Sequence, residues 1–87
     1  MNPDVKHDTE AKRFLVTVDG HDVFTQYRDV DAGTVDFVST FTPPELRGRG
    51  LARVVVDAGL AWARAQGKEI HGSCWYVAKV LGEEANA

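Results

Sequence analysis

Apolar and polar side chains alternate from position 13 to 18, with Phe14, Val16 and Val18 on one side and Leu15 and Thr17 on the other. A period of two residues marks a strand, and Leu15 predicts partial cover on its second face. Asp19-Gly20 then stands between two apolar runs, a dipeptide suited to a tight hairpin turn. A second strand is predicted over about 22–28, rich in Val, Phe, Thr and Tyr. After a turn at 29–33, a third is predicted over 34–42. Consecutive strands of this kind form an antiparallel meander. Pro43-Pro44 ends the third strand, because neither residue can donate to a sheet ladder.

From Leu51 the period lengthens. Leu51, Val54, Val55, Ala58, Trp62 and Ala65 recur at helical spacing and fall on one face, while Arg53, Asp57 and Arg64 point elsewhere. The helix is predicted over about 50–66, with Gly67 as its stop and Trp62 in the core. Residues 68–72 read as a short fourth strand, parallel to the third if the helix crosses the sheet in the usual sense. Beyond it, Trp75, Val77, Ala78 and Leu81 predict one or two helical turns. Residues 1–12 are polar without a period and read as a mobile lead-in, 13–82 as a single domain, and 83–87 as a polar tail. The expected fold class is mixed α/β (α+β): a three-stranded antiparallel meander, a crossover helix, a fourth strand beside the third and a short C-terminal helix. No repeat, low-complexity segment or linker interrupts the chain.

Composition narrows the function. The chain has 87 residues, 44% of them hydrophobic and 26% charged, the balance of one ordinary globular domain. Its formal net charge of −3 argues against a nucleic-acid partner. The basic cluster of Arg47, Arg49 and Arg53 suits a compact anion rather than a long polyanion. A single cysteine, Cys74, excludes an internal disulfide and fits a reducing compartment. No stretch has the apolar length of a membrane span, and the N-terminus lacks the basic-then-apolar order of a signal peptide. A cytoplasmic protein without membrane contact is the expectation. No His, Cys, Asp and Glu cluster has metal-ligand spacing, so no metal is expected.

The segment Thr40-Phe41-Thr42-Pro43-Pro44-Glu45-Leu46-Arg47-Gly48-Arg49-Gly50-Leu51-Ala52 joins a strand to the long helix through a turn with two glycines. The first N–H groups of a helix lack intrahelical partners, and the helix dipole adds partial positive charge there. Gly48 and Gly50 remove side chains that would hold a phosphate away from those groups, and the arginines supplement the charge. A diphosphate fits this arrangement; a plain tight turn with solvated arginines also accounts for it. The nucleotide-binding P-loop is absent, and Arg53 occupies the place of the third glycine of the dinucleotide fingerprint.

Arg47-Gly48-Arg49-Gly50-Leu51-Ala52 resembles the R/Q-x-x-G-x-G/A signature of the GNAT superfamily of acetyltransferases, and it lies after a strand at a helix start as that signature does. More closely, the chain is similar to the small YjdJ-type GNAT-like branch, with its H-T-x-V-P-P-E-x-x-G-x-G-x-A segment and late P-x-C-x-[YF]-V. Here these read Ser39-Thr40-Phe41-Thr42-Pro43-Pro44-Glu45-Leu46-Arg47-Gly48-Arg49-Gly50-Leu51-Ala52 and Gly72-Ser73-Cys74-Trp75-Tyr76-Val77. The resemblance covers about residues 13–81 and implies that acetyl-CoA is the cofactor. It implies that the 48–52 backbone, with Arg47 and Arg49, takes the pyrophosphate. Thr40, Phe41 and Thr42 would then run along the pantetheine arm, with Ser73, Cys74 and Tyr76 near the acetyl thioester. The implied sheet splays between its last two strands, where the cofactor arm enters, and a backbone N–H of the third strand polarises the thioester carbonyl. Ser39 stands where the branch has His, and Gly72 where it has Pro.

The reacting groups are less defined. Cys74 can carry an acetyl group as a nucleophile, or serve as a small buried apolar residue. Tyr76 can protonate a departing thiolate, or stack on the core. Glu45 can act as a base, or cap the helix or hydrogen-bond locally, and His71 reads as a packed or surface residue before it reads as a base. His7 and His21 carry no assignment. The implied activity is acetyl transfer to an unidentified amine, directly or through Cys74; a non-catalytic CoA-binding module is the alternative. The small core and missing acceptor-side elements also leave room for a homodimer.

Overall fold

Strong alternation over 13–18 and a following Asp-Gly turn seed the sheet, and the computed structural model, which describes residues 4–85, builds outward from it. β1 (Lys6–Asp8), β2 (Arg13–Val18), β3 (His21–Asp31), β4 (Thr34–Phe41) and β5 (Glu69–Gly72) form one five-stranded sheet in the order β1-β2-β3-β4-β5. The first four are antiparallel neighbours, and β5 returns parallel to β4 after the crossover helix α1 (Leu51–Ala65). A second helix, α2 (Trp75–Ala85), closes the described chain.

The inward face carries Phe14, Val16, Val23, Tyr27, Val35 and Phe37, which share one core with Val55, Val56, Leu60 and Ala63 of α1 and Val77 and Val80 of α2. Gly59 brings α1 close against the sheet. A Cβ there would lie 2.7 Å from the Phe37 ring, so only hydrogen fits. The opposite sheet face is half-covered by its own side chains. The Phe24 and Phe41 rings lie 5.8 Å apart, and the Arg13 guanidinium sits 4.9 Å over Phe24.

Three expectations are corrected. The segment read as a mobile lead-in contributes β1, so the meander has four strands rather than three. His7 anchors it: its ring stacks on Phe14 with centroids 4.1 Å apart, and its Nε2 lies 2.6 Å from the Tyr27 hydroxyl. The last segment forms a helix of 11 residues rather than one or two turns, and it takes up residues 83–85 of the expected tail. Arg53 Nη1 bonds Glu83 at 3.0 Å and Arg64 pairs with Glu84, so polar residues tie α2 to α1. Finally, the buried face of α1 is rotated from the predicted one. It is centred on Leu51, Val55, Val56, Gly59, Leu60 and Ala63, while Ala65 is exposed and Trp62 half-buried against His7, Phe14 and Tyr27. Positions 1–3 and 86–87 of the expected end segments lie outside the described residues.

Candidate functional site

The site begins where β4 and β5 part. They pair from Thr34↔Glu69 to Phe37↔Gly72, and β4 then runs on to Phe41 without β5. Immediately past that last rung, β4 carries an extra residue. Tyr27 pairs with Phe37 and Gln26 with Ser39, so Val38 bulges from the ladder and turns the strand's end. The chain leaving β5 folds over the gap as Ser73 and Cys74 and enters α2. Gly72 permits this, because a Cβ there would come within 3.0 Å of the Ala78 nitrogen. The parting expected from the sequence is therefore present; the bulge that accompanies it was not foreseen.

From Phe41 the backbone passes through Thr42 and Pro43 into a single 3₁₀ turn, Pro44–Leu46. The Leu46 side chain is fully buried and pins that turn to the core. Arg47 Nε donates to the Thr42 carbonyl at 3.3 Å, bracing the loop from within. Gly48 and Gly50 both have positive φ, 82° and 74°, a region that ordinary L-residues enter at a cost. A Cβ on either would meet no heavy atom within 4 Å. These glycines therefore set the backbone's direction and leave open space above it; they do not relieve crowding.

Gly50 caps α1 with no side-chain hydrogen bond, and the first turn contains no acidic residue. The helix N-terminus thus presents its positive end with no carboxylate from its own first turn to compensate it. Of the three arginines, Arg53 is committed to Asp57 and Glu83 at 3.0 Å each. Arg49 reaches Asp19 of the β2–β3 turn at 3.7 Å. Arg47 alone lines the space over the turn.

That space is a groove made of two adjoining cavities, about 220 and 340 Å³. The smaller lies over the turn, against Gly48, Gly50 and Leu51. The larger runs toward the parted strands, between Thr40 and Phe41 on one side and Trp75 on the other. Thr42, Arg47, Ala52 and Tyr76 line both, so the two are continuous. The structure thus gathers Thr40, Phe41, Thr42, Arg47, Gly48, Gly50, Leu51, Ala52 and Tyr76 around one groove. Trp75 belongs to it as well, 75% exposed on the first turn of α2. Sequence reasoning gave Trp75 only a packing role, since an apolar residue at helical spacing is usually core.

Cys74 and Arg49 do not line the groove. Cys74 is 8% exposed, immediately before α2, and its thiol donates to Thr40 Oγ1 at 3.6 Å. Thr40 Oγ1 lies 3.0 Å from Thr25 Oγ1, whose side chain is wholly buried. The cysteine is therefore packed just behind the groove wall, at a helix start. Glu45 is exposed on the 3₁₀ turn. His71 pairs in register with Asp36, on the face opposite Phe37, and its Nε2 lies 3.6 Å from Glu69 Oε1. None of the residues lining the groove is His, Asp or Glu.

Residues 13–86 match the family described as GCN5-related N-acetyl-transferase, which covers most of the chain. The chain belongs to the GCN5-related N-acetyltransferases. The GNAT assignment made from the 47–52 turn is thereby confirmed, and the mixed α+β architecture agrees with it. Among curated relatives, Protein NATD1 of Xenopus tropicalis is 33% identical over 81 residues, spanning 91% of this chain and 74% of that protein. Protein NATD1 of Homo sapiens is also 33% identical over 81 residues, covering 72% of its length. The match to Protein NATD1 of Danio rerio is 31% over the same span. Among the described residues, no helix of this GNAT domain is long and apolar enough to cross a membrane, and no cluster of His, Cys, Asp and Glu could hold a metal.

Proposed function

We propose that this GNAT domain binds acetyl-CoA in the groove between β4 and α2 and transfers the acetyl group to an amine. One observation carries the reading. The uncapped N-terminus of α1, entered through two positive-φ glycines with open space above them, continues into a groove that reaches the parted strands. The chemistry of the donors fits an elongated anion with an amide-rich arm. The 48–52 N–H groups and Arg47 hold the diphosphate at one end. Past Phe37, the main chain of β4 has no β5 partner and is available to a ligand's amides. Phe41 and Trp75 supply apolar walls. When bound, acetyl-CoA supplies an activated acetyl thioester.

The protein's own part in the transfer is placement and exclusion of water. Tyr76 borders both cavities, and its hydroxyl is our candidate to donate a proton at the α2 end of the groove. Cys74 lies behind Thr40, so direct attack by the amine needs less rearrangement than passage of the acetyl group through the thiol. Titration calorimetry with acetyl-CoA, with Gly50→Asp as control, tests the reading. Saturable binding to the parent and its loss in the variant are expected; a parent that does not bind at millimolar ligand refutes it.

A second reading, a CoA-binding module without turnover, draws support from the lack of His, Asp or Glu among the groove's lining residues and from Ser39 in place of His. Mass spectrometry of an amine panel incubated with acetyl-CoA separates the two. Acetylated product supports the transferase, and tight binding with no product supports the module.

A further inference from the structure

Asp36 is 4% exposed and, among the described residues, is the one buried carboxylate. It sits on β4 one residue before the last rung that β4 shares with β5. Both of its oxygens are spent on a single neighbour across the sheet. Ser73 donates its backbone N–H to Oδ1 at 2.9 Å and its hydroxyl to Oδ2 at 2.6 Å. Arg28 comes only to 3.6 Å and is itself largely exposed, so it adds little. Next along the chain, Cys74 donates its N–H to the Phe37 carbonyl at 2.9 Å. Two consecutive β4 residues thus grip two consecutive residues of the β5–α2 joint, at the fork where the groove opens.

We infer that Asp36 is a positioning residue of the groove: by holding both hydrogen-bond donors of Ser73, it fixes where β5 leaves β4 and so where Cys74, Trp75 and Tyr76 stand opposite Thr40, Phe41 and Thr42. The inference rests on the proposed cofactor reading for its functional consequence, although the clasp itself does not depend on it. The geometry distinguishes this role from general stabilisation. Its neighbours Val35 and Phe37 face the core, whereas Asp36 lies on the alternate face of the strand, and its polar partners are Ser73 of the joint and Arg28. Loss of the carboxylate removes the acceptor that the Ser73 N–H uses, and the 73–76 segment then pairs onward with β4 or swings out. Either movement changes the wall formed by Trp75 and Tyr76.

Asp36→Ala, Asp36→Asn and Ser73→Ala are compared with Val16→Ala, which weakens the core far from the joint. Cooperative thermal unfolding confirms that each variant folds. Asp36→Ala is expected to weaken CoA binding about tenfold, the order of losing a charge-assisted hydrogen-bond acceptor. Val16→Ala is expected to change it less than about twofold despite lowering Tm. Asp36→Asn keeps an acceptor for the Ser73 N–H and a donor for its hydroxyl, and should restore most of the affinity. Ser73→Ala keeps the backbone bond and should fall between. A readout independent of CoA is the rate at which Cys74, the single cysteine, reacts with an aromatic disulfide reagent. It should rise about tenfold in Asp36→Ala and stay near the parent rate in Val16→Ala, because local opening at the joint exposes the thiol. Equal affinity losses in Asp36→Ala and Val16→Ala, or an unchanged thiol rate in Asp36→Ala, overturn the inference. If the parent fails to bind CoA, the proposed function falls, and the thiol rates alone decide whether Asp36 holds the joint.

Discussion

At Gly50 the demands of the fold and of the site can be separated by one substitution. Its φ of 74° strains any side chain, yet a Cβ there meets nothing within 4 Å. Gly50→Asp should cost about 1 kcal/mol from the left-handed backbone, partly offset because a carboxylate suits a helix N-terminus. Scanning calorimetry should therefore show Tm lowered by no more than about 8 °C. The same carboxylate stands where the diphosphate would, so anion binding should be lost from a folded protein. Gly59 poses the opposite case: its space is filled by Phe37 at 2.7 Å. Gly59→Ala gains about 1 kcal/mol of helix propensity but overpacks a buried ring at about 1–3 kcal/mol. The expected outcome is a lower Tm with CoA affinity intact, and a higher Tm would contradict the close approach of α1 to the sheet. These residues also show what the sequence disclosed. Gly50 stood within a signature that could be read directly. Gly59 could not be recognised as the contact point, because glycine adds nothing to an apolar stripe, and the face predicted for α1 was rotated accordingly.

Among elements, β2 and α1 were legible because each carries a period of its own, β3 and β4 because turn residues and prolines bound them, and β5 from its place after the glycine stop of α1. β1 was not, since Lys6, His7 and Asp8 have none. It is held by tertiary contacts of His7 with Phe14, Tyr27 and Trp62. Burial lowers the pKa of His7 below its ordinary 6.5, with Asp8 opposing the shift. The folded state therefore binds the proton less well than the unfolded chain. Stability from this group is complete above the ordinary value and is lost as pH falls through the lower folded value. Thermal melts between pH 7.5 and 5 should show Tm falling below about pH 6.5. His7→Gln should flatten that slope; an unchanged slope would show that His7 is not its source. Asp36 acts in a more acidic window. Burial disfavours its charge, but the Ser73 hydroxyl and amide, with Arg28 and His71, outweigh burial and hold its pKa below the usual 3.8. Its contribution persists at neutral pH and is lost only as pH falls through that depressed value. The extent of α2 was hidden for a similar reason: Glu83 and Glu84 read as a tail, and only the folded neighbours Arg53 and Arg64 make partners of the two glutamates.

For the whole molecule, the groove is built from segments distant in sequence, which is why its outline was only half legible. The phosphate end lies within one contiguous turn and could be read residue by residue. The far end depends on where β5 stops pairing with β4 and on the bulge at Val38, features that leave no compositional trace. Saturation by a ligand at about 100 times its dissociation constant adds about 2.7 kcal/mol to stability. For a domain of this size, CoA should then raise Tm by roughly 10 °C or more. The most direct test of the central claim is a backbone-amide NMR titration with CoA. The largest shifts are expected at Gly48, Gly50, Leu51 and Ala52, with a second group at Thr40, Phe41 and Thr42, and little change at Leu15 on the outer face of β2. Saturable shifts confined to that outer face, or none at millimolar CoA, would contradict the assignment of the 47–52 turn as the cofactor's diphosphate site.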